Sequence, residues 1–136
     1  MLASEAAQRE RERLVKARER LKFQAYAAVR DVALRTELFR SHPQLHEPEI
    51  SVNVYPQFVD VYASLTEGQL RLLRVGGVRQ DLDRFAAELK KGIEGAVGSL
   101  RLTLTEDPAQ LGGSLPVKLL GGAIGYRAVL VRNEPE

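Results

Sequence analysis

Residues 50–65 read ISVNVYPQFVDVYASL, and the alternation in this stretch decides the class of fold. Apolar side chains occupy every second position from Ile50 to Val54 and from Val59 to Leu65, which is the period of a half-buried β-strand. Between the two runs, Pro56-Gln57 offers no residue that favours the positive backbone angles of a tight two-residue hairpin. The pattern therefore predicts one long strand, bent or bulged at Pro56, at a sheet edge where a missing N–H is tolerated.

The segment after this strand predicts a hairpin followed by a helix. Thr66-Glu67-Gly68 has the composition of a three-residue hairpin loop with its glycine in the left-handed conformation, leading into an antiparallel strand over residues 69–75. Gly76-Gly77 is expected to end that strand. From Arg79 to Val97, apolar residues recur at the three- and four-residue spacing of an amphipathic helix.

The chain before the first strand predicts one long helix over residues 4–40, because this stretch contains no glycine or proline and is rich in strong helix formers. Apolar residues are sparse before Leu21 and nearly continuous from Phe23 to Phe39. A helix that is apolar almost all round must be covered, so the second half is expected in the core and the first half is expected to project. This division predicts a projecting charged helical segment, 1–22, and a single α+β domain, 23–136.

Two further strands, over residues 100–105 and 124–132, complete the sequence prediction. Residues 106–123 between them hold two prolines and four glycines, and predict a long loop of a length that is usually functional or disordered. The expected fold is α+β: a long N-terminal helix plus a four-stranded, mainly antiparallel sheet with a second helix on one face.

Composition restricts the function. The chain has 136 residues, of which 44% are hydrophobic, and this suits one globular domain. It contains no cysteine, which excludes disulfides, thiolate zinc sites, iron–sulfur clusters and cysteine nucleophiles. No apolar run approaches the roughly 20 residues that span a bilayer, and no apolar signal segment begins the chain, so a soluble cytoplasmic protein without membrane contact is expected.

The net charge of +2 conceals an asymmetry along the chain. Residues 1–40 carry ten basic and six acidic side chains, whereas the remainder carries ten basic and twelve acidic ones. At helical spacing, the basic side chains of the projecting segment form two neighbouring rows. One row is Arg9, Arg13, Lys16 and Arg20, and the other is Arg11, Arg18 and Lys22. These seven side chains are the candidate partner-binding site.

A coiled-coil dimer is a second way to use such a helix. Four apolar residues recur every seven positions: Ala7, Leu14, Leu21 and Ala28. The positions that would complete this seam are largely polar: Glu10, Ala17, Gln24 and Asp31. That seam is too polar for a stable free dimer, so packing of the helix on another subunit or a larger partner stays open, and with it a homo-oligomer.

Groups that could carry chemistry are few and scattered. His42 and His46 have a metal-ligand spacing, but Pro43 between them disfavours a helix, so exposed loop histidines are expected. Gly76-Gly77 lies between a strand and a helix, as phosphate loops do, yet lacks the lysine and hydroxyl of that motif. The acidic pairs Glu106-Asp107 and Asp81/Asp83 lie at strand and helix ends, where solvated acids are ordinary. The sequence predicts no catalytic residue, no metal, no cofactor and no enzyme activity.

One stretch resembles a known family. The order helix, strand, glycine turn, strand, helix, strand, with Glu67-Gly68-Gln69-Leu70 leading into Val75 and then Leu82 to Ile93, looks like the KH-like domain of bacterial replicative helicase loaders. The likeness covers residues 58–105, and the tryptophan expected of that family is absent from the chain. The element order is also similar to small secretion chaperones and phage tail-completion proteins. Because element order does not establish function, no family is assigned.

The sequence therefore predicts a non-catalytic adaptor or assembly module that binds another macromolecule through its basic N-terminal helix. The expected partner is an acidic protein surface or a larger assembly. The alternative is a nucleic-acid-associated protein, KH-like or helicase-loader-like, that contacts phosphates with the same arginines. A small enzyme of unrecognised type is the second alternative.

Overall fold

The computed structural model describes residues 2–73, 78–105, 115–118 and 124–136. It shows the predicted α+β fold with a long N-terminal helix. The helices are α1 (Leu2–Leu34), α2 (Glu37–Ser41), α3 (Glu67–Leu72) and α4 (Val78–Ala96), with 3-10 turns at Pro43–Leu45 and Gly98–Leu100. The strands are β1 (Glu49–Val54), β2 (Phe58–Leu65), β3 (Leu102–Leu104), β4 (Leu115–Lys118) and β5 (Ile124–Arg132).

All described strand pairs are antiparallel, and the sheet has the order β1-β2-β5-β3. The strand β2 pairs along its whole length with β5, and so it occupies one edge of β5. On the other edge, β4 pairs with residues 124–127 and β3 with residues 130–132. The sheet is therefore four strands wide, as predicted. The predicted loop 106–123 is wrong at 115–118, which form β4, and its other residues lie outside the described ones.

The bent strand predicted at Pro56 is instead a hairpin of two strands. The Tyr55 N–H donates to the Phe58 carbonyl at 2.8 Å, and β1 pairs with β2 from Glu49–Ser64 to Val54–Val59. Neither turn residue has a positive φ, because proline presets an ordinary turn conformation without one. The Arg132 N–H of β5 also donates to the Gln57 carbonyl, at 2.9 Å. The prediction failed because it required a tight two-residue hairpin to use glycine-like angles.

The hairpin and strand predicted after Thr66 are also wrong, because residues 67–72 form α3. The Thr66 hydroxyl accepts from the Gln69 N–H at 3.1 Å, and the Gln69 side-chain oxygen accepts from the Thr66 N–H at 2.9 Å. This reciprocal capping box starts a helix at a position where Gly68 suggested a turn. The element order behind the likeness to helicase loaders is therefore not present in this region.

The long first helix also ends earlier than predicted. Thr36 has an extended backbone, with φ −67° and ψ 155°, and its buried hydroxyl donates to the Ala33 carbonyl at 2.6 Å. A threonine hydroxyl that bonds its local backbone competes with the helix ladder, and here it separates α1 from α2. The first N–H of α2, at Glu37, then donates to the Glu88 carboxylate of α4 at 3.1 Å.

The second predicted helix, 79–97, agrees with α4 to within one residue at each end. The strand predicted over 100–105 is shorter, because Gly98–Leu100 forms a 3-10 turn that Arg101 ends in the left-handed conformation at φ 59°. The last predicted strand, 124–132, is confirmed as β5.

One face of the sheet packs under α1 and α4 to form the core. The register aligns Val52, Val61 and Ala128 across three neighbouring strands, and all three are buried. The amphipathic stripe of α4 contributes Phe85, Leu89 and Ile93 to the same core cluster. From the second half of α1 come Ala25, Val29, Val32 and Ala33. The inward-facing residues in the second half of α1 are therefore buried, as the sequence predicted.

The two core helices approach each other closely at Gly92. A Cβ atom added there would overlap Cγ1 of Val32. We expect Gly92→Ala to lower the free energy of unfolding by about 1 to 2 kcal/mol, because overpacking outweighs the higher helix preference of alanine. Chemical denaturation monitored by circular dichroism measures this change.

The matched control is Gly95→Ala, three residues further along the same helix, where an added Cβ meets nothing within 4 Å. This variant is expected to be neutral or stabilised by up to about 0.5 kcal/mol. Equal effects of the two substitutions would contradict a tight contact between α1 and α4.

Candidate functional site

The first turns of α1 extend away from the rest of the described protein. Every residue from Ser4 to Arg13 is exposed, and the first half-buried side chain is Leu14. At 1.5 Å per residue, these ten exposed residues correspond to about 15 Å of helix. Further along the helix, one side contacts the domain, and Leu21 packs against the core. The segment boundary at residue 22 stays a prediction.

The two basic rows predicted from the sequence lie on different sides of α1. Helical geometry places Arg9, Arg13, Lys16 and Arg20 well round the helix from the inward-facing Leu14 and Leu21. We call these four residues the outer row. The inner row, Arg11, Arg18 and Lys22, lies nearer the sheet, where Arg18 and Lys22 line a cleft with residues 52–55.

The inner row is partly engaged within the molecule. Arg18 donates from Nε and Nη2 to the two carboxylate oxygens of Glu136, at 2.5 and 2.7 Å. Arg132 also donates to Glu136, at 3.1 Å. The hydrogen bond from Arg18, and then that from Arg132, lowers the pKa of Glu136 to about 2. Because the Glu136 side chain is only 11% exposed, this contact anchors the middle of α1 to the strand β5 and its extension.

The outer row is largely unengaged. Arg13 forms an ion pair with Glu10 one turn away, and the hydrogen bond between them lowers the pKa of Glu10 and raises that of Arg13. In the described part of the chain, no carboxylate lies within ion-pair distance of the three other members, which are Arg9, Lys16 and Arg20. Three of the four outer-row cations are therefore available to a partner.

Two aromatic residues that the sequence assigned to the core are on the surface instead. Phe23 is 72% exposed and Tyr26 is 37% exposed. The prediction was wrong because an apolar stretch shows that a helix needs cover, but not that every side receives it. Val15, in the projecting segment of the same helix, is also exposed. These apolar side chains lie beside the basic rows, and no sequence signal distinguished them from core residues.

The groups considered for catalysis are not brought together. His42 is half-buried, with Nδ1 3.0 Å from the Leu38 carbonyl, and His46 is exposed with a positive φ of 60°. Asp81 and Asp83 lie in the first turns of α4. The pairs Gly76-Gly77 and Glu106-Asp107 lie outside the described residues. Within the described ranges, no group of three potential ligands could hold a metal ion.

The sequence analysis missed one partly buried ion pair on the sheet. Arg127 donates from Nε and Nη2 to the two carboxylate oxygens of Asp60, at 3.0 and 3.1 Å, and lies over the ring of Tyr62. The hydrogen bonds that Arg127 donates to Asp60 raise the pKa of Arg127. The two charges satisfy each other across β2 and β5, so they join strands and leave no free acid or base. The signal available in the sequence was Asp60, a single charged residue within the largely apolar strand β2.

Comparison with protein-family models, with curated proteins and with solved structures finds no match. Among the described helices, none combines the length and apolar character that crossing a bilayer requires. The site is therefore interpreted from its own geometry and charge.

The Arg18–Glu136 contact leads to a prediction about pH. A pKa lowered from 4.5 to about 2 means that the stabilisation is fully present above about pH 4.5 and is lost as the pH falls toward 2. We expect Glu136→Gln to lower the free energy of unfolding at pH 7 by about 1 kcal/mol. It should also flatten the loss of stability between these pH values, measured by thermal unfolding.

Glu134→Gln provides the control, because the ion pair of Glu134 with Arg101 is roughly 70% exposed on both sides and is expected to contribute little. A pH profile that Glu136→Gln leaves unchanged would show that the contact does not anchor α1.

Proposed function

We propose that this protein is a non-catalytic adaptor that binds a negatively charged surface of another protein or assembly through the outer row of α1. The observation that carries this proposal is the placement of Arg9, Lys16 and Arg20, which are exposed, have no acidic partner in the described chain, and face away from the core. The helix is held at its inner end, so it presents the row without having to fold on binding.

Two features favour a protein partner over nucleic acid. Acidic side chains Glu5, Glu10, Glu12 and Glu19 are interspersed with the basic rows, and they would repel a continuous phosphate backbone. The exposed apolar side chains beside the rows, Val15 and Phe23, suit the mixed polar and apolar character of a protein interface. Phosphate contact by the same arginines is the alternative that the experiment separates.

The test compares two charge reversals of equal size. Lys16→Glu with Arg20→Glu changes the outer row, and Arg11→Glu with Lys22→Glu changes the inner row of the same helix. Both pairs are exposed, so both variants should fold. Partners captured by the immobilised wild type are identified by mass spectrometry. The strongest is purified, and its affinity for each variant is measured by calorimetry.

We expect the outer-row variant to lose about tenfold or more in affinity, and the inner-row variant to lose less than about threefold, because complementary charges act locally. Equal losses would show that only net charge matters, and an unchanged affinity of the outer-row variant would overturn the proposal. Binding of the wild type to duplex or single-stranded DNA that weakens steeply with salt would favour the nucleic-acid alternative.

A further inference from the structure

Among the described strands, none pairs with the outer edge of β1. In the described part of the chain, β1 pairs only with β2. The Tyr55 N–H bonds the Phe58 carbonyl, and the direction of backbone groups alternates along an antiparallel strand. The N–H and carbonyl groups of Ile50, Val52 and Val54 therefore point away from β2, toward the open edge.

Natural edge strands are usually protected by charges, prolines or bulges within the strand. From Ile50 to Val54 this strand contains none of these, since its only charged residue is Glu49 at one end and the prolines, Pro48 and Pro56, flank it. The unprotected segment has the alternating β-branched composition that pairs readily with another strand. An edge of this kind is suited to strand addition.

The sequence of β1 is complementary to itself about Val52. In an antiparallel pair centred on this residue, Val52 lies opposite Val52 of a second copy, and Ile50 lies opposite Val54. All three residues have outward-pointing backbone groups, so every such group in the segment finds a partner. On the other face, Ser51 lies opposite Asn53, which is polar against polar. Pro48 and Pro56 lie outside this paired segment, so neither proline is required to donate within the ladder.

The surroundings of the edge leave room for a neighbouring strand. Two open clefts, of about 600 and 270 Å³, lie along β1. Tyr26 lines the first cleft, and Glu19 and Lys22 line the second, so α1 flanks the edge without closing it. The exposed Phe23 lies between these residues on the helix. In a two-fold pair, the two copies of α1 lie on the same side of the joined sheet, where each could cover this apolar surface of the other.

We propose that β1 pairs with β1 of a second copy of this chain, antiparallel about a two-fold axis at Val52, and that the two sheets join into one continuous sheet. This interface uses the strand edge and leaves the outer row of α1 free. The two proposals can therefore fail independently, since one predicts self-association and the other predicts binding to a different molecule.

The test introduces charges at Ser51 and Asn53, which are exposed. Ser51→Lys with Asn53→Lys places lysine opposite lysine twice in the proposed register, whereas Ser51→Glu with Asn53→Lys places glutamate opposite lysine twice. Sedimentation velocity measures the mass of each protein. At about 100 µM, where an association with a dissociation constant of about 10 µM is mostly complete, we expect the wild type and the Glu/Lys variant to be dimers. The Lys/Lys variant should dissociate at least about tenfold more readily.

A second measurement uses the wild type alone and does not depend on a folded variant. Hydrogen exchange of the Ile50, Val52 and Val54 amides should slow as the protein concentration rises, while exchange of the Ser51 and Asn53 amides, which already bond β2, should not change. A wild type that remains monomeric, or a Lys/Lys variant that dimerises like the wild type, overturns the proposal. The proposal is also overturned if the wild type stays monomeric and its β1 edge pairs with an extended peptide instead.

Discussion

The contact between Gly92 of α4 and Val32 of α1 determines how the helical layer lies on the sheet. Only the absence of a side chain at position 92 permits this approach, since a Cβ there would overlap the valine. The small residues Ala25 and Ala33 of α1 are also fully buried. With its inner half fixed in this way, α1 has one direction in which to leave the domain. Its outer turns are therefore presented at a defined position.

The sequence predicted those elements whose signals are local and regular. The predicted bounds of α4, from its 3.6-residue period, and of β5 agree with the structure to within one residue. It failed where a side chain, and not a period, decides the backbone. Thr66 and Gln69 cap a helix at a position where Gly68 was interpreted as part of a turn. Thr36 ends the first helix within a segment that contains no glycine or proline. Both signals were present in the sequence. The interpretation gave more weight to Gly68 in the first case and to the helix-forming composition of residues 4–40 in the second.

The candidate site shows a similar limit. Helical spacing grouped the basic residues into two rows, because that grouping depends only on the 100° turn per residue. It could not tell which row faces the sheet, since that depends on the packing of Leu14, Leu21 and Ala25. Nor could it identify the partner of Arg18, because Glu136 is 118 positions away in the chain. Local pattern therefore located the charged surface, and only tertiary structure separated its free part from its anchored part.

The position of β5 has a consequence for how the chain reaches its native state. This strand lies between β2 and the β3/β4 edge, and its pairs with β2 join residues 59 to 73 positions apart. The β1–β2 hairpin joins residues that are close in sequence, yet both edges of β2 cannot be filled until a much later segment has been synthesised. Such long-range closure slows folding and leaves an apolar strand temporarily open. During synthesis on the ribosome, this protein is thus expected to depend on protection of β2 until the final strand emerges.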